Sequence, residues 1–344
     1  MPDVQGLPLA QLYIRKVLSM IDGHGRQINY LRLSVTDKCN LRCRYCMPED
    51  GICKKSHAAM LTEEEMIQAV EISASLGITK LRITGGEPLV KKNILSICER
   101  AAATEGINEV CITTNGILLP QLAKPLKDAG VKRINLSLDT LSRTKYAHIT
   151  RRGTLEQAMD GLHAALDAGF EKIKINAVLI GGFNDDEIVA MANLTKIYPV
   201  DMRFIELMPI QDHDEFGEAA FIPCKKIIEK LPEAVPQAKD GGVARLYRLP
   251  GAMGNIGLIS PLSDHFCGSC NRIRLTADGK LKPCLHSGDE FSIKGLNRGE
   301  MLAEFHQNTL HEGGLAGAVF AEQAHDLAPG QRQADVPQGL FAAI

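Results

Sequence analysis

An α/β fold built on a mostly parallel, incompletely closed sheet is predicted by three observations on this 344-residue chain. Short β-rich runs alternate with helical patterns, the rhythm of successive βα units. Within those runs, apolar and polar side chains alternate with a consistent parity. The stretches richest in chemistry follow strand ends, where parallel barrels gather their functional groups.

Six strands are drawn: Tyr30 to Thr36, Lys80 to Thr84, Val110 to Thr114, Lys132 to Leu138, Lys172 to Leu179 and Asp201 to Leu207. That is too few for a closed eightfold barrel. In the first, Leu31, Leu33 and Val35 alternate with Arg32, Ser34 and Thr36; in the fourth, Ile134, Leu136 and Leu138 alternate with Arg133, Asn135 and Ser137. The second adds Arg82 and Thr84 to the polar set, and the fifth adds Lys172, Lys174 and Asn176. Successive strand residues face opposite ways, so helices must cover the apolar face. The polar face is then left for a concave interior, lined for a hydrated, anionic guest. The sixth strand is undecided, because Arg203 and Glu206 fall on opposite parities. Between strands, Thr62 with Glu65 and Thr154 with Gln157 form capping boxes that start helices, which Gly77 and Gly169 stop.

A hydrophobic content of 45% supports one large core, or one domain with an appendage. A net charge of −2 argues against a general nucleic-acid binder. No apolar run is long enough to span a bilayer and no secretory leader is recognisable, so the chain reads as cytoplasmic, with no membrane partner. Six of the ten cysteines fall in two close clusters, a usage that suits metal ligation in a reducing compartment. Cys53, Cys98, Cys111 and Cys224 read as free thiols.

Cys39, Cys43 and Cys46 are spaced C-x3-C-x2-C, directly after the first strand. Three thiolates in a tight loop leave one iron of a 4Fe-4S cluster open to another ligand. The three-residue gap fits a structural zinc knot poorly. A second trio, Cys267, Cys270 and Cys284, again lacks an obvious fourth cysteine; a second open cluster is favoured, and His265 or His286 could instead complete a zinc site. Arg272 and Arg274 alternate between these ligands, as a pair of guanidinium forks for phosphate or as a solvated strand face. Gly251-x2-Gly254-x2-Gly257 lacks the context of a dinucleotide fingerprint, and no Walker A sequence is present.

The cysteine spacing, with Tyr45 before the last cysteine and Gly85-Gly86-Glu87-Pro88 after the second strand, resembles the radical S-adenosylmethionine (SAM) superfamily. The wider set RLSVTDKCNLRCRYCMP, LRITGGEPL, TTNG, RINLSLD, FIELMPI and FCGSCNRIRLTADGKLKPCL resembles the GTP 3′,8-cyclases of molybdenum cofactor biosynthesis, from about Ile21 to Ser287. The resemblance implies an incomplete (βα)6 TIM-like barrel over residues 20–215 and a smaller C-terminal α+β region over 216–297 with a second cluster. Residues 1–19 then read as an extension and 298–344 as a divergent tail, ending in Phe341-Ala342-Ala343-Ile344 where the family ends in Gly-Gly.

The resemblance further implies two 4Fe-4S clusters, one on Cys39, Cys43 and Cys46 and the other on Cys267, Cys270 and Cys284. SAM would meet Tyr45, Gly86, Ser137 and Met208. GTP would meet Arg32, Arg82, Thr113, Lys174, Arg272, Ile273 and Arg274, with its purine at the open iron of the second cluster. The implied reaction removes hydrogen from the ribose C3′ of GTP and joins that carbon to guanine C8. Implied partners are an electron donor and the downstream cyclic pyranopterin monophosphate synthase, and a homodimer is compatible. The alternatives are a radical SAM enzyme with another substrate, such as a peptide, and a cluster-binding homologue impaired in cyclisation by its altered tail.

Overall fold

The computed structural model describes residues 20–22, 25–51, 55–208, 216–285 and 288–312. Six parallel strands form its centre: β1 (Tyr30–Ser34), β2 (Lys80–Thr84), β3 (Glu109–Thr114), β4 (Val131–Ser137), β5 (Lys172–Leu179) and β6 (Val200–Glu206), paired in that order. The helices between them are α1 (Glu63–Ser75), α2 (Ile94–Ala103), α3 (Leu119–Asp128), α4 (Arg143–Thr150), α5 (Leu155–Asp167) and α6 (Ile188–Ile197). Both expected capping boxes close. Thr62 accepts from Glu65 N while Glu65 accepts from Thr62 N, and Thr154 and Gln157 do the same. Gly77 and Gly169 take φ of +98° and +69° just beyond the helices they end.

The parity reading holds along β1, β2, β4 and β5, the strands for which it is made. Leu31, Leu33, Leu81, Ile83, Ile134, Leu136, Ile173 and Ile175 are sealed in one apolar core with the helices. Burying such side chains contributes roughly 1.5–3 kcal/mol each. The sixth strand is resolved as well. Val200, Met202 and Phe204 join the core, which puts Asp201 and Arg203 on the polar face. Glu206, on the helix side at the strand's end, accepts from the backbone N–H groups of Cys224 at 2.8 Å, Leu262 at 3.1 Å and Ser263 at 3.0 Å. It is a loop clamp, which explains why its parity opposes that of Arg203.

The C-terminal region does not build a separate sheet. Its strands are β7 (Val235–Gln237), β8 (Arg245–Arg248), β9 (Ile256–Ile259), β10 (Arg272–Leu275), β11 (Lys280–Lys282) and β12 (Phe291–Ser292), with α7 (Lys225–Lys230) before them. β10 pairs parallel with β1, β9 pairs parallel with β6, and antiparallel strands continue outward on both sides, giving twelve strands in one sheet among the described residues. The helix α8 (Arg298–Glu312) lies where a divergent tail was expected, and its Met301 and Phe305 are fully buried in the main core. Arg298 pairs with Glu71 of α1 at 2.7 Å. Residues 1–19 and 313–344, including the terminal Phe-Ala-Ala-Ile, lie outside the described residues.

If α8 belongs to the core, Phe305→Ala should cost about 3–5 kcal/mol, the range for truncating a buried aromatic residue. Chemical denaturation measures this, and a loss below about 1 kcal/mol would show that the helix is only loosely docked.

Candidate functional site

The first cysteine trio is held by the ends of neighbouring strands. After β1, Thr36 O accepts from Gly86 N and Lys38 O accepts from Glu87 N, both at 2.7 Å, so the Gly-Gly-Glu turn is stitched to the segment entering Cys39. A Cβ on Gly86 would lie 2.7 Å from Asp37 O and closer still to Lys38 O, so this position has no room for a side chain. Glu87 then reaches inward. Its carboxylate accepts from Leu89 N at 3.0 Å, Thr114 Oγ1 at 2.7 Å and Asn115 N at 2.7 Å, and Asn115 Nδ2 donates to Asn40 Oδ1 at 2.8 Å. Burial pushes the Glu87 carboxyl up to about 7 although these donors favour its ionised form.

The rest of the loop leans on the end of α4. Arg42 N and Arg44 N donate to Thr150 O and Ile149 O. Arg151, at a positive φ of 55°, donates to Arg42 O at 3.0 Å and Met47 O at 3.2 Å. The Tyr45 hydroxyl donates to Asp139 Oδ2 at 2.7 Å, and Asp139 Oδ1 accepts from Val178 N at 2.9 Å. Burial raises the pKa values of Cys39, Cys43 and Cys46, that of Cys46 to about 12; for Cys43 and Cys46 neighbouring thiolates of the trio add to the rise. The thiols are thus near enough to repel one another as anions, the situation that bound iron relieves. Among the described residues no three His, Cys, Asp or Glu side chains are arranged to share a single metal ion.

The second trio sits at a large cavity. Cys267 and Cys270 flank a short turn, with Cys270 N donating to Cys267 O at 3.1 Å, and Cys284 follows β11. Arg26 donates to Cys267 O. Burial and then the Cys284 and Cys270 thiolates raise the Cys267 pKa. For Cys270, burial is the largest influence and acts upward, but the charge and hydrogen bonds of Arg272 together with the charge of Arg26 outweigh it, and the net shift is downward. Arg272 itself lies over the Phe266 ring, 5.3 Å from its centroid. His265, a possible fourth ligand by sequence, lines the cavity with Nδ1 3.1 Å from Pro261 O, whereas His286 is outside the described residues.

The cavity measures about 770 Å³ and all three of these cysteines line it, a size suited to a bound small molecule. Its wall is the polar face of the sheet. Arg274, Arg32 and Arg82 are direct register partners across β10, β1 and β2, while Lys174 and Arg203 continue the lining on β5 and β6. Like charges on adjacent strands, about 4.8 Å apart, oppose one another. Burial, followed by Arg272, Arg274 and Arg82, holds the Arg32 pKa well below its usual range. Burial, then Arg272, lowers Arg274 to about 10; burial, then Arg82 and Arg133, lowers Arg203 to about 10. Burial, then Arg203, takes Lys174 down to about 7. Buried polar atoms without a hydrogen-bond partner also gather on this face: Nε of Arg82 and Arg203, Oδ1 of Asn176 and Oγ1 of Thr113. Such a set fits a polyanion with many acceptor oxygens.

Of the residues marked from sequence, Arg32, Arg82, Lys174, Arg272, Arg274 and Met208 meet on this cavity. Tyr45 and Gly86 belong to the first trio's surroundings, and Ser137 is half-buried at the end of β4 opposite Asn176. Thr113 is buried on the same face of β3 but is not on the cavity wall. Ile273 lies on the opposite parity from Arg272 and Arg274. Its side chain is turned away into the helix-side core, opposite Leu31, because β10 alternates as strictly as the strands beside it. Only its backbone remains for a ligand. Sequence reasoning left Arg203 undecided and did not mark Tyr30, Arg133 or Arg26 as site residues, although all line the cavity. The parity of Met202 and Phe204 could have placed Arg203. Gly257 of β9 adjoins it in register, and a Cβ there would lie 3.1 Å from Arg203 Cγ, so that glycine makes room for the arginine.

Comparisons with known proteins agree with this geometry. Residues 33–195 match the family model of the radical SAM superfamily, and residues 200–313 match that of Molybdenum Cofactor Synthesis C. The GTP 3′,8-cyclase of Alkaliphilus oremlandii is 47% identical over 310 residues, 90% of this chain and 95% of the relative. The chain belongs to the GTP 3′,8-cyclase family. The enzyme of that name from Alkaliphilus metalliredigens is 51% identical over 80% of this chain and 86% of its own length. Among solved structures, Streptococcus suis SuiB bound to S-adenosylmethionine aligns with a TM-score of 0.63 at 12% identity, covering 87% of this chain and 69% of that one. The SAM-bound anSMEcpe aligns at 0.55 and 14%, covering 82% and 79%. These two likenesses establish the fold. As a family member the chain is a radical SAM enzyme that works with SAM and 4Fe-4S clusters.

Glu87 offers a pH test of the clamp behind the first trio. Its folded-state value lies above the ordinary 4.5, so the folded chain holds an extra proton between about 4.5 and 7. Its contribution to stability is greatest below that window and is lost as pH rises through it. Glu87→Gln should abolish this dependence while placing an amide N–H against the Asn115 N–H. By chemical denaturation, the stability difference between wild type and variant should be larger at pH 5 than at pH 8 by about 1–3 kcal/mol. Parallel pH profiles would contradict the assignment.

Proposed function

We propose that this chain acts as a radical SAM GTP 3′,8-cyclase of molybdenum cofactor biosynthesis, with GTP in the cavity between the sheet's polar face and the second cysteine trio. The observation that carries the reading is the row of cations, half-buried Arg274 and buried Arg32 and Arg82 with Lys174 and Arg203, running from that trio along the sheet. A triphosphate carries enough negative charge to offset several of them at once. Arg32, Arg82, Lys174, Arg272 and Arg274 would hold the substrate, with Arg203 as a further phosphate ligand and the Ile273 backbone beside the guanine. Tyr45, Gly86, Ser137 and Met208 would position SAM.

When bound, the first cluster and SAM supply the 5′-deoxyadenosyl radical that removes hydrogen from the ribose C3′ of GTP. The protein's own contribution is placement. Fixed guanidinium groups hold the phosphates so that the ribose faces the SAM end, and the bound guanine keeps C8 within reach of C3′. The arginines and Lys174 on the strands are already fixed on the cavity wall before the substrate arrives. An electron donor, a downstream synthase that accepts the product and a cytoplasmic setting accompany this reading. They are supported by the family, by the thiol-rich composition and by the lack, among described residues, of a helix long and apolar enough to cross a membrane.

Anaerobic incubation of the reconstituted chain with SAM, GTP and dithionite should yield 5′-deoxyadenosine and a cyclised guanosine nucleotide together by mass spectrometry. Deoxyadenosine without the cyclised product would instead favour another substrate. Arg203→Ala should weaken GTP binding by roughly tenfold or more, the loss expected for a charged hydrogen bond, without changing the iron content of the reconstituted protein. Unchanged affinity by calorimetry would remove Arg203 from the site.

A further inference from the structure

An acidic side chain lies among the cavity's cations, and the function read above has no role for it. Asp240 sits in the turn between β7 and β8, and its Oδ2 accepts from Lys174 Nζ at 3.2 Å. Lys172 Nζ is 3.9 Å from the same oxygen. Asp201, the other carboxylate facing Lys174, is more distant at 3.7 Å and is engaged by Lys172 at 3.1 Å and by Asn255 N at 3.0 Å. Asp240 is therefore the nearer counterion of a lysine surrounded by Lys172, Arg133 and Arg203.

The two partners differ in freedom. The Lys174 side chain is 2% exposed and stands on a central strand, whereas that of Asp240 is 29% exposed. Residues 237–242 are all exposed, and nothing packs where a Cβ of Gly241 would stand. Gly242 N donates to Asp240 Oδ1 at 3.1 Å, so the carboxylate is oriented by its own turn. The exposed turn contributes no residue to the core, whereas the lysine is fixed on a central strand. With Asp240 withdrawn, Lys174 keeps only the more distant Asp201, and an underpaired buried lysine is costly; a carboxylate offers it the same charge-assisted hydrogen bond as a phosphate oxygen.

We propose that Asp240 is an internal stand-in for the substrate's phosphate. It holds Lys174 until a polyphosphate displaces it, and so sets how much anionic charge a ligand needs to enter the cavity. This deepens the GTP reading and rests on it. A monophosphate exchanges one anion for another and gains little. A triphosphate displaces the same carboxylate and adds contacts to Arg32, Arg82 and Arg203.

Asp240→Asn removes the charge and retains an acceptor for Gly242 N; Asp240→Ala removes both. Full-length reconstituted wild type and variants would be titrated calorimetrically at pH 6 with inorganic tripolyphosphate and with GTP, and KM and kcat measured. Both variants should bind tripolyphosphate roughly tenfold tighter, the equivalent of one charged hydrogen bond, and the change with GTP should appear in KM more than in kcat. Unchanged or weaker tripolyphosphate binding overturns the proposal, the latter by making Asp240 a ligand contact. If the variants tighten tripolyphosphate binding but wild type does not bind GTP, the stand-in role survives and the substrate reading falls. If wild type binds GTP and the variants bind neither anion more tightly, the substrate reading survives and the stand-in role falls.

Discussion

Positive charge lodged on the inner face of a parallel sheet is the constraint to which the rest of this molecule answers. Arg32, Arg82, Lys174 and Arg203 are each under a tenth exposed, yet they occupy the positions that a closed barrel fills with branched apolar residues. Packing such side chains together in a dry interior would be prohibitive. The sheet therefore stays open around a cavity of about 770 Å³ and keeps carboxylates such as Asp201 within reach. Stability comes from the opposite face, where one continuous apolar core includes all six parallel strands and the helices that cover them. Binding capacity and folding energy are thus assigned to alternate residues of the same strands.

The two cysteine trios are supported in different ways. The first rests on buried side-chain acceptors at strand ends, Glu87 and Asp139, which satisfy the backbone of the following segments and the Tyr45 hydroxyl. The second is held chiefly by attachment of β10 to β1 and by arginines next to its ligands. One site is fixed from inside the barrel unit, the other by a strand added to its edge.

Much of this architecture is legible in the chain because it is local. Period-two alternation alone separates Leu31, Leu33 and Val35 from Arg32, and the capping boxes at Thr62 and Thr154 are four-residue signals. Edge pairing has no such signal. The RIRL run at Arg272 looks the same whether it borders β1 or faces solvent, so the register that aligns Arg274 with Arg32 is not readable from it. The same alternation explains why the Ile273 side chain is off the cavity: the motif marks a whole segment, but a strand turns only every second side chain to one face. Asp240 is invisible in the sequence for a related reason. It approaches Lys174 across 66 residues of chain, from an exposed turn with the composition of any hairpin. The helix at Arg298–Glu312 is obscured by a low-hydropathy sequence, although Met301 and Phe305 mark its buried side.

The strands that complete the sheet have a bearing on biogenesis. β1 acquires its outer neighbour from a segment 242 residues later, as in the Asn29 to Asn271 hydrogen bond, and β6 gains its own from β9. Until those segments leave the ribosome, the nascent chain carries two unpaired parallel edges and an uncovered basic face. The N-terminal unit is therefore the part most in need of chaperone protection during synthesis. A nonsense or frameshift lesion late in the reading frame would then remove more than the second trio, because it would also expose the sheet to edge-to-edge aggregation.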